Sequence, residues 1–522
     1  MNPLATRLHY FAPHGNDHAR DTLDVDLCVY GGTSGGITAA VQARRDGLNV
    51  AVLENSNHVG GLSASGLGLT DFGNKDSLGG LAREFYHAVG RHYGEAEEWR
   101  FEPHVAERVF ENWLREHEIP VYRREYLESV RLQGRRIEAI RLLSGLVVRA
   151  RVFIDATYEG DLLAAAGVSH RVGREDNAVY GETINGMVIR QTHQFNAPVD
   201  PWRVEGAPGS GLLPGIEAVD DYAPGRGDER IQAYNFRMCL TNVADNRRAF
   251  ERPLQYDQAE YELLARYFRT GWRDVFAKFD SIRGGKTDTN NHGAVSTDFI
   301  GRNHRWPRAT FAERERLFQA HVTYQKGLQW FLANDPEVPA DLRNAYGEWG
   351  LARDEFVETE GWPHALYVRE ARRMLGDYVM TEHDCRGTRR VEDPIAFGAY
   401  GMDSHNCRRL VREGRVWNEG DVQAAGFKPY PISFRALLPR RGECENLVVP
   451  TCVSASHIAY GSIRMEPVFM ALGQSAAIIA AQALQENAPT QELGYAGVRE
   501  ALESAGQVVE LPIDKAVENE LV

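Results

Sequence analysis

The stretch VYGGTSGG, at residues 29–36, joins the apolar segment DVDLCVY to a run of small residues, ITAAVQARR. On the pattern G-x-G-x-x-G it supplies Gly31 and Gly36, with Thr33 in the place of the middle glycine. A buried strand, a glycine turn and a helix in direct succession present backbone N–H groups and a helix N-terminus to phosphate. The stretch therefore predicts the first turn of a dinucleotide-binding α/β unit.

The acid and the threonine of this unit carry further predictions. The next apolar segment, LNVAVLE, ends in Glu54, 18 residues after Gly36, close to the spacing at which a carboxylate accepts hydrogen bonds from ribose hydroxyls. Thr33 adds a Cβ beside the phosphate, but binding there rests on backbone N–H groups, and the hydroxyl of Thr33 or Ser34 is an additional donor. From the sequence, Thr33→Gly is expected to preserve or tighten cofactor binding, and Gly31→Val to abolish it.

Composition restricts the class of protein. The chain has 522 residues, 43% of them hydrophobic and 25% charged, which suffices for a large core and more than one domain. The formal charge of -14 argues against nucleic acid and anionic membranes as partners. The N-terminus lacks a secretory-signal pattern and no long apolar run is present, so we expect a soluble, cytoplasmic protein. The scattered cysteines are expected to be free thiols, and no ligand spacing predicts a metal site.

The two ends of the chain share an α/β texture that the middle lacks. Strand and helix segments alternate up to residue 165, and ENLVVPTCV with MALGQSAAIIAAQALQEN gives a strand and a long helix near the other end. The region between is rich in aromatic, arginine and turn residues. We predict a sheet domain made of residues 22–165 and 431–490, an inserted substrate domain at about 166–430, and a tail at 491–522.

A second glycine-rich segment, NSNHVGGLSASGLGLTDFG, follows Glu54 directly and contains Gly60 and Gly61. FAD enzymes use such a segment for the flavin end of the cofactor, whereas nicotinamide dehydrogenases have no need of it. Here the sequence resembles the glutathione-reductase-like FAD proteins, and more narrowly the FAD-dependent oxidoreductase family, which includes sequences labelled as putative xanthan lyases. Further blocks of the resemblance are FIDATYEGDLLAAAGV, IQAYNFRMCLT, GKTDTNNHGAVSTDFIG, LYVREARRMLGDYVMTEHD, YGMDSHNCRR and ENLVVPTCVSASHIAYGSIRMEPVFMALGQSAA.

The resemblance implies an α/β fold, with a glutathione-reductase-like Rossmann domain for non-covalent FAD and an inserted α+β substrate domain. At the end of a strand, Asp155 and Thr157 either satisfy backbone groups beside phosphate or cap the following helix. The residues that the glycine turn and the resemblance together assign to FAD are Gly31, Gly32, Thr33, Ser34, Gly35, Gly36, Glu54, Asn55, Gly60, Gly61, Leu62, Val130, Ala156, Thr157, Ser462, Arg464 and Met465.

Candidate catalytic residues lie in two of these blocks. Oxidation of an alcohol or amine at a flavin needs a base, and histidine suits that task near neutral pH. His405 is one candidate, with Asp403 two positions earlier on the same side of an extended segment, and His457 is the other. Arg464 precedes a helix whose N-terminus stabilises the anionic edge of reduced flavin, or alternatively it pairs with Glu466 or another acid.

Three other polar groups have two interpretations each. His58 is either an attachment point for FAD, as in some related flavoproteins, or an ordinary histidine on the pyrophosphate side. The segment GKTDTNNHG suits either a hydroxyl-rich ligand or a solvent-exposed turn. In REARRM, Arg369 and Arg373 have helical spacing, and they form either buried ion pairs or a clamp for a substrate carboxylate.

Together these features predict an FAD-dependent oxidoreductase that exchanges a hydride with a small organic substrate. The first interpretation is oxidation of a CH–OH group of a sugar or similar compound. The second is reduction or desaturation of a C–C bond, with Arg464 or Tyr460 as proton donor. A non-catalytic flavin-binding protein is the third. The electron acceptor and the oligomeric state are not predicted.

Overall fold

The computed structural model describes residues 8–12, 21–218, 221–512 and 514–516. The strands in this part of the chain are β1 Thr22–Tyr30, β2 Val50–Glu54, β3 Val121–Arg123, β4 Leu127–Gln133, β5 Arg136–Leu142, β6 Val147–Asp155, β7 His170–Arg171, β8 Ile216–Glu217, β9 Met238–Thr241, β10 Arg247–Arg248, β11 Phe279–Ile282, β12 Lys286–Thr289, β13 Gly350–Ala352, β14 Arg373–Met374, β15 Pro394–Gly398, β16 Met402–Ser404, β17 Arg408–Arg412, β18 Arg415–Glu419, β19 Val422–Ala424, β20 Tyr430–Ser433 and β21 Leu447–Val448. The α-helices are α1 Ser34–Arg45, α2 Gly80–Tyr93, α3 Pro103–Glu116, α4 Asp161–Ala165, α5 Asn177–Tyr180, α6 Glu262–Arg269, α7 Phe311–Asn334, α8 Ala340–Gly347, α9 Glu382–Cys385, α10 His457–Ile463, α11 Glu466–Glu486 and α12 Tyr495–Ser504.

The largest sheet has the strand order β3-β2-β1-β6-β5-β4. β5 pairs with the start of β6, at residues 147 and 148, and β21 pairs with the same side of β6 near its end, at residues 153 and 154. β1, β2, β3, β6 and β21 pair in parallel, whereas β4 and β5 are antiparallel. The register places Tyr30 opposite both Leu53 and Asp155. The carboxyl ends of β1, β2 and β6 therefore meet at one edge, where ligands bind in open α/β sheets.

Helices α1 and α11 cover one face of this sheet and touch each other through glycine. A Cβ built on Gly473 would lie 1.9 Å from the carbonyl oxygen of Gly35. Only a residue without a side chain allows two backbones to approach this closely. The small-residue stretches at both ends of the chain thus meet in one core.

The middle of the chain has a sheet of its own. Its strand order is β10-β13-β9-β12-β11, and every pairing in it is antiparallel. Aromatic residues of α6, α7 and the segments around them form a separate core, with Tyr261, Phe268 and Phe331 fully buried. The mixed α/β fold with a parallel sheet is as predicted, while the boundaries of the inserted domain stay a prediction.

Two local expectations change. Residues 369–372, predicted with helical spacing, form no helix, and β14 begins at Arg373. In the tail at 491–522, α12 packs Val498 and Leu502 into the main core, and residues 517–522 lie outside the described part.

Helix α11 is long and apolar enough to cross a membrane by length and composition, with a mean hydropathy of 1.5. In the most apolar 18-residue stretch of this helix, 89% of the stretch is buried inside the protein. Its burial against α1 and the sheet accounts for this composition, because a helix that is apolar all round belongs in a core. All six cysteines are buried and unpaired, as expected.

Candidate functional site

The glycine turn lies where β1 and β6 end side by side. Gly31 has φ +107°, and a Cβ there would lie 2.7 Å from the backbone of Ala156 and Thr157. Its N–H donates to Leu53 O over 2.8 Å. Three strand ends therefore touch through backbone atoms at Gly31, so that no side chain fits there.

Thr33 is the N-cap of α1. Its Oγ1 accepts from Gly36 N at 3.2 Å and donates to Ala156 O at 2.8 Å. The hydroxyl thus satisfies one of the free N–H groups of the first helical turn and fixes the turn to β6. The threonine therefore replaces a glycine contact with a structural hydrogen bond, and its hydroxyl is not the phosphate donor that the sequence suggested.

Glu54 ends β2 beside the turn. Its Oε2 accepts from Gly32 N at 2.6 Å, and its Oε1 accepts from Ser56 N at 2.8 Å. Burial raises the pKa of this carboxyl against the opposing effect of these hydrogen bonds. The carboxylate lies at the mouth of the turn, where it can accept hydrogen bonds from a ribose.

A cavity adjoins the turn, which we call the nucleotide cavity. Predicted cofactor residues that line it are Gly31, Gly32, Thr33, Glu54, Asn55, Gly61 and Thr157. Of the other predicted residues, Ser34, Gly35 and Gly36 form the first turn of α1, Gly60 and Leu62 flank Gly61, and Ala156 lies against Gly31. Val130 does not belong here: it is in the middle of β4, paired with Ile140, and is not part of the cavity wall.

The residues present fit an FAD molecule at this edge. Ser65 Oγ is buried and has no hydrogen-bond partner within the described residues, and Ser65 lines the cavity. Buried polar atoms are nearly always satisfied, so its pairing with a ligand is expected. Backbone N–H groups, a helix N-terminus and a carboxylate are the groups that hold a diphosphate and a ribose.

The second glycine segment lies next to the N-terminus of α11. Tyr158 Oη accepts from Leu62 N at 3.0 Å and donates to Glu466 Oε1 at 2.7 Å. Ser63 Oγ donates to Glu466 Oε2 at 3.1 Å. Both carboxyl oxygens of Glu466 therefore bond to hydroxyl groups and not to Arg464. Burial raises the pKa of Glu466.

The other end of the second glycine segment opens into a cavity of about 380 Å³, which we call the substrate cavity. It brings together four predicted residues: Asp403, His405, Arg464 and Met465. Its remaining lining residues are mostly of polar types: Leu69, Asp71, Thr192, His193, Arg237, Lys278, Asp280, Asn290, Asn291, His292, Tyr367, Tyr400 and Gln423.

His405 is held between two carboxylates. Its Nδ1 lies 2.8 Å from Asp298 Oδ2, and its Nε2 lies 3.3 Å from Asp403 Oδ2. Burial opposes the ionisation of Asp298, but Arg369 and His405 outweigh it and hold the pKa of that carboxyl at about 2. The same balance, with His405 and Arg464, lowers the pKa of Asp403. Both carboxylates are therefore ionised at neutral pH and fix the orientation of the imidazole.

Arg464 pairs with Asp403, which is one of the two interpretations of the sequence. Its Nη2 donates to Asp403 Oδ2 at 2.8 Å, and its Nη1 donates to Tyr367 Oη at 2.9 Å. The guanidinium is buried, two positions before α11 begins. It still lines the substrate cavity, so the positive charge and the helix N-terminus act at the same wall.

His457 lies elsewhere. It is 2% exposed at the start of α10, and it is not part of the substrate cavity wall. Its Nδ1 is 2.8 Å from Glu370 Oε2 and its Nε2 is 3.0 Å from Ser404 Oγ. Ser462, predicted to contact FAD, is similarly occupied, since Tyr430 Oη donates to its Oγ at 2.7 Å.

The structure gives a different outcome for each polar segment that had two interpretations. Asn290, Asn291 and His292 line the substrate cavity, whereas Asp288 accepts two hydrogen bonds from Arg237. The REARRM segment forms ion pairs: Arg369 with Asp298 and Arg373 with Glu370 and Glu175 are buried, and Arg372 with Asp161 is half-buried. Asp155 satisfies the first turn of α4, whose N-cap is Gly160, since its Oδ2 accepts from Leu163 N at 2.8 Å.

Asp71 is a site residue that the sequence reasoning missed. Its carboxyl lines the substrate cavity, and burial, together with Asp288 and Asp403, raises its pKa. The only available signal was an acid in GLTDFG, directly after the second glycine segment. Asp298 gave no signal, because its contact with His405 spans 107 positions.

Fold and site together define an FAD-binding redox protein of the open α/β class. The sequence profile described as FAD dependent oxidoreductase matches residues 26–502. The chain belongs to this family and is an FAD-dependent enzyme. No curated protein is similar enough to count as a match.

Solved structures match only parts of the chain. A flavin-containing monooxygenase from Stenotrophomonas maltophilia is 19% identical over 26% of this chain and 38% of its own, with a TM-score of 0.19. A bacillithiol disulfide reductase from Staphylococcus aureus is 18% identical over the same shares, also at 0.19. A 3-ketosteroid dehydrogenase from Rhodococcus jostii is 13% identical over 30% of this chain and 51% of its own, at 0.20. These partial similarities carry no argument about substrate or reaction.

Proposed function

We propose that the protein oxidises a CH–OH group of a sugar or other hydroxylated small molecule, with His405 as the base. The observation that carries this proposal is the imidazole in the wall of a polar cavity, fixed at Nδ1 by Asp298 and close to Asp403 through Nε2. Nucleic acid and membranes are not proposed as partners, and a cytoplasmic location remains part of the proposal.

The walls of the substrate cavity support a hydroxylated ligand. Asn290, Asn291, Thr192 and Gln423 offer neutral donors and acceptors, and Asp71 adds a carboxyl. Several hydroxyl groups on one ligand would find partners in such a set, whereas an apolar ligand would displace water from these polar groups without replacing its hydrogen bonds.

The hydroxyl proton and the hydride of the alcohol go to different acceptors. When the substrate hydroxyl takes the place of Asp403 at Nε2, His405 accepts the hydroxyl proton there, while Asp298 at Nδ1 stabilises the positive charge that forms on the ring. The chemistry that FAD would supply here, when bound, is acceptance of the hydride from the alcohol carbon. The product is the carbonyl compound, and Arg464 with the N-terminus of α11 supplies positive charge at this wall.

A C–C reductase or desaturase is the second candidate, because Arg464, Tyr367, Tyr400 and Asp71 all line the substrate cavity. The other donor considered for it, Tyr460, is less suited. Its hydroxyl donates to Thr451 O at 3.1 Å and is not part of the cavity wall.

The test is anaerobic reduction of the purified yellow protein by a panel of sugars, polyols and amines, followed through loss of the visible absorption of oxidised flavin. A sugar or polyol that bleaches the flavin supports the proposal. If every alcohol fails and the chemically reduced protein is reoxidised by an enone or enoate, the second candidate replaces it. Colourless protein that cannot be reconstituted with FAD would contradict both.

A further inference from the structure

Two clusters of histidine and carboxylate side chains lie around a cavity of about 550 Å³, on the far side of His58 from the glycine turn. The first consists of His58, Glu107 and His364, and the second of Glu102, His104 and Glu355. In each cluster the candidate ligand atoms all lie within 4.8 Å of one another. Helix α3 contributes His104 to one cluster and Glu107 to the other.

The second cluster already contains a cation. Lys286 Nζ lies 2.7 Å from Glu102 Oε1 and 2.6 Å from Glu355 Oε1, and it is fully buried. Its ammonium group offsets the charge of these carboxylates and satisfies them with hydrogen bonds. This cluster therefore has no need of a metal ion.

The first cluster has no such cation within the described part of the chain, where neither lysine nor arginine pairs with Glu107. Its one ion-pair contact is the 2.8 Å between Oε1 and His58 Nδ1. The rings of His58 and His364 stack in parallel, with centroids 3.6 Å apart and an interplanar angle of 6°, so one ring must turn out of the stack before both can direct a nitrogen lone pair at one shared ligand. His364 Nε2 is buried without a hydrogen-bond partner among the described residues, which costs free energy unless a ligand binds there.

We propose that His58, Glu107 and His364 form a binding site for a divalent transition-metal ion of the zinc class. Two imidazoles and one carboxylate are a donor set that such ions prefer, and three protein ligands leave a coordination position open toward the cavity. Magnesium and calcium prefer oxygen ligands and suit the set poorly.

The three ligands come from separate parts of the chain: the loop after β2, helix α3, and the segment between β13 and β14. Sequence spacing therefore gave no sign of a metal site. His58 and His364 also line the nucleotide cavity, so the ion would lie in the wall that the two cavities share. Its positive charge would therefore act on both cavities.

The test uses the FAD-loaded protein, first dialysed against a chelator and then titrated with zinc chloride by isothermal calorimetry. We expect binding of about one zinc ion per chain. His364→Gln and Glu107→Gln should each weaken it by about tenfold or more, since each removes a ligand. His104→Gln, the matched change in the cluster that holds Lys286, should leave zinc affinity unchanged. The flavin absorption per chain and the thermal midpoint show whether each variant is folded.

A second measurement needs no variant: anomalous scattering at the zinc edge from crystals of the zinc-treated protein should place one peak among the three side chains. No peak there, or equal zinc affinity in wild type and both ligand variants, would overturn the proposal. Zinc that binds only to protein stripped of FAD and is released by added FAD would also overturn it, because the histidines would then belong to the nucleotide site alone.

Discussion

The nucleotide cavity and the substrate cavity differ in what forms their walls. At the first, backbone atoms of β1, β2 and β6 touch at Gly31, and the turn itself spans a few consecutive residues. At the second, charged side chains from distant segments pair with one another around His405. The first cavity is therefore fixed by backbone geometry and the second by ion pairs, so changes in the two should have different consequences.

The difference separates cofactor retention from reactivity. A side chain added at the glycine turn moves backbone and should release FAD. A side chain replaced in the substrate cavity leaves the turn intact and should slow the chemistry with FAD still bound. A single substitution in the substrate cavity that also released FAD would contradict this separation.

The largest effect is expected for Gly31→Val. A Cβ at this position would lie 2.7 Å from backbone atoms of Ala156 and Thr157, and φ +107° disfavours a β-branched residue. We expect a folded protein to be obtained without flavin, or no folded protein at all. The measurement is flavin absorption per chain after purification and after incubation with excess FAD; a normal flavin content would contradict the backbone account.

Asp403→Asn should leave the flavin content unchanged and slow reduction by substrate. The carboxylate contacts both His405 and Arg464, so its replacement by a neutral amide weakens the positioning of both side chains at once. We expect the rate of flavin reduction to fall by about 10–100-fold. Stopped-flow reduction measures this rate, and a rate within twofold of wild type would show that the Asp403 carboxylate has no role in flavin reduction.

His457→Gln should mainly affect stability. The side chain loses its contacts with Glu370 and Ser404 in a fully buried place. We expect the free energy of unfolding to fall by about 1–3 kcal/mol, with a smaller loss of rate than for Asp403→Asn. Urea unfolding together with the reduction rate gives both values; a larger rate loss would return His457 to the catalytic group.

Thr33→Gly should have the smallest effect. The variant loses the hydrogen bonds to Gly36 N and Ala156 O, which is expected to cost about 1 kcal/mol of stability. The sequence alone suggested that this change preserves or tightens cofactor binding. From the structure we expect the Thr33→Gly protein to keep FAD bound but to unfold at a lower temperature than wild type. Thermal melting with and without added FAD measures this.

The sequence revealed the parts of the site that are local in the chain. The glycine turn, Glu54 and helix α1 follow one another within a single βαβ unit, and the extended segment at β16 sets Asp403 beside His405. Contacts across long separations could not be read in this way. Thr33 bonds to Ala156 across 123 positions, and REARRM looked helical because spacing alone cannot show that buried acids pair with each arginine in an extended segment.

His405 carries the central claim, and anaerobic single-turnover reduction tests it most directly. The matched control is His193→Gln, because His193 also lines the substrate cavity and pairs with a carboxylate, Asp421, at 3.0 Å. With the substrate found by the panel, His405→Gln should retain FAD and reduce it about 10²–10⁴-fold more slowly than wild type, while His193→Gln stays within about tenfold. Equal rates for His405→Gln and wild type would contradict the account.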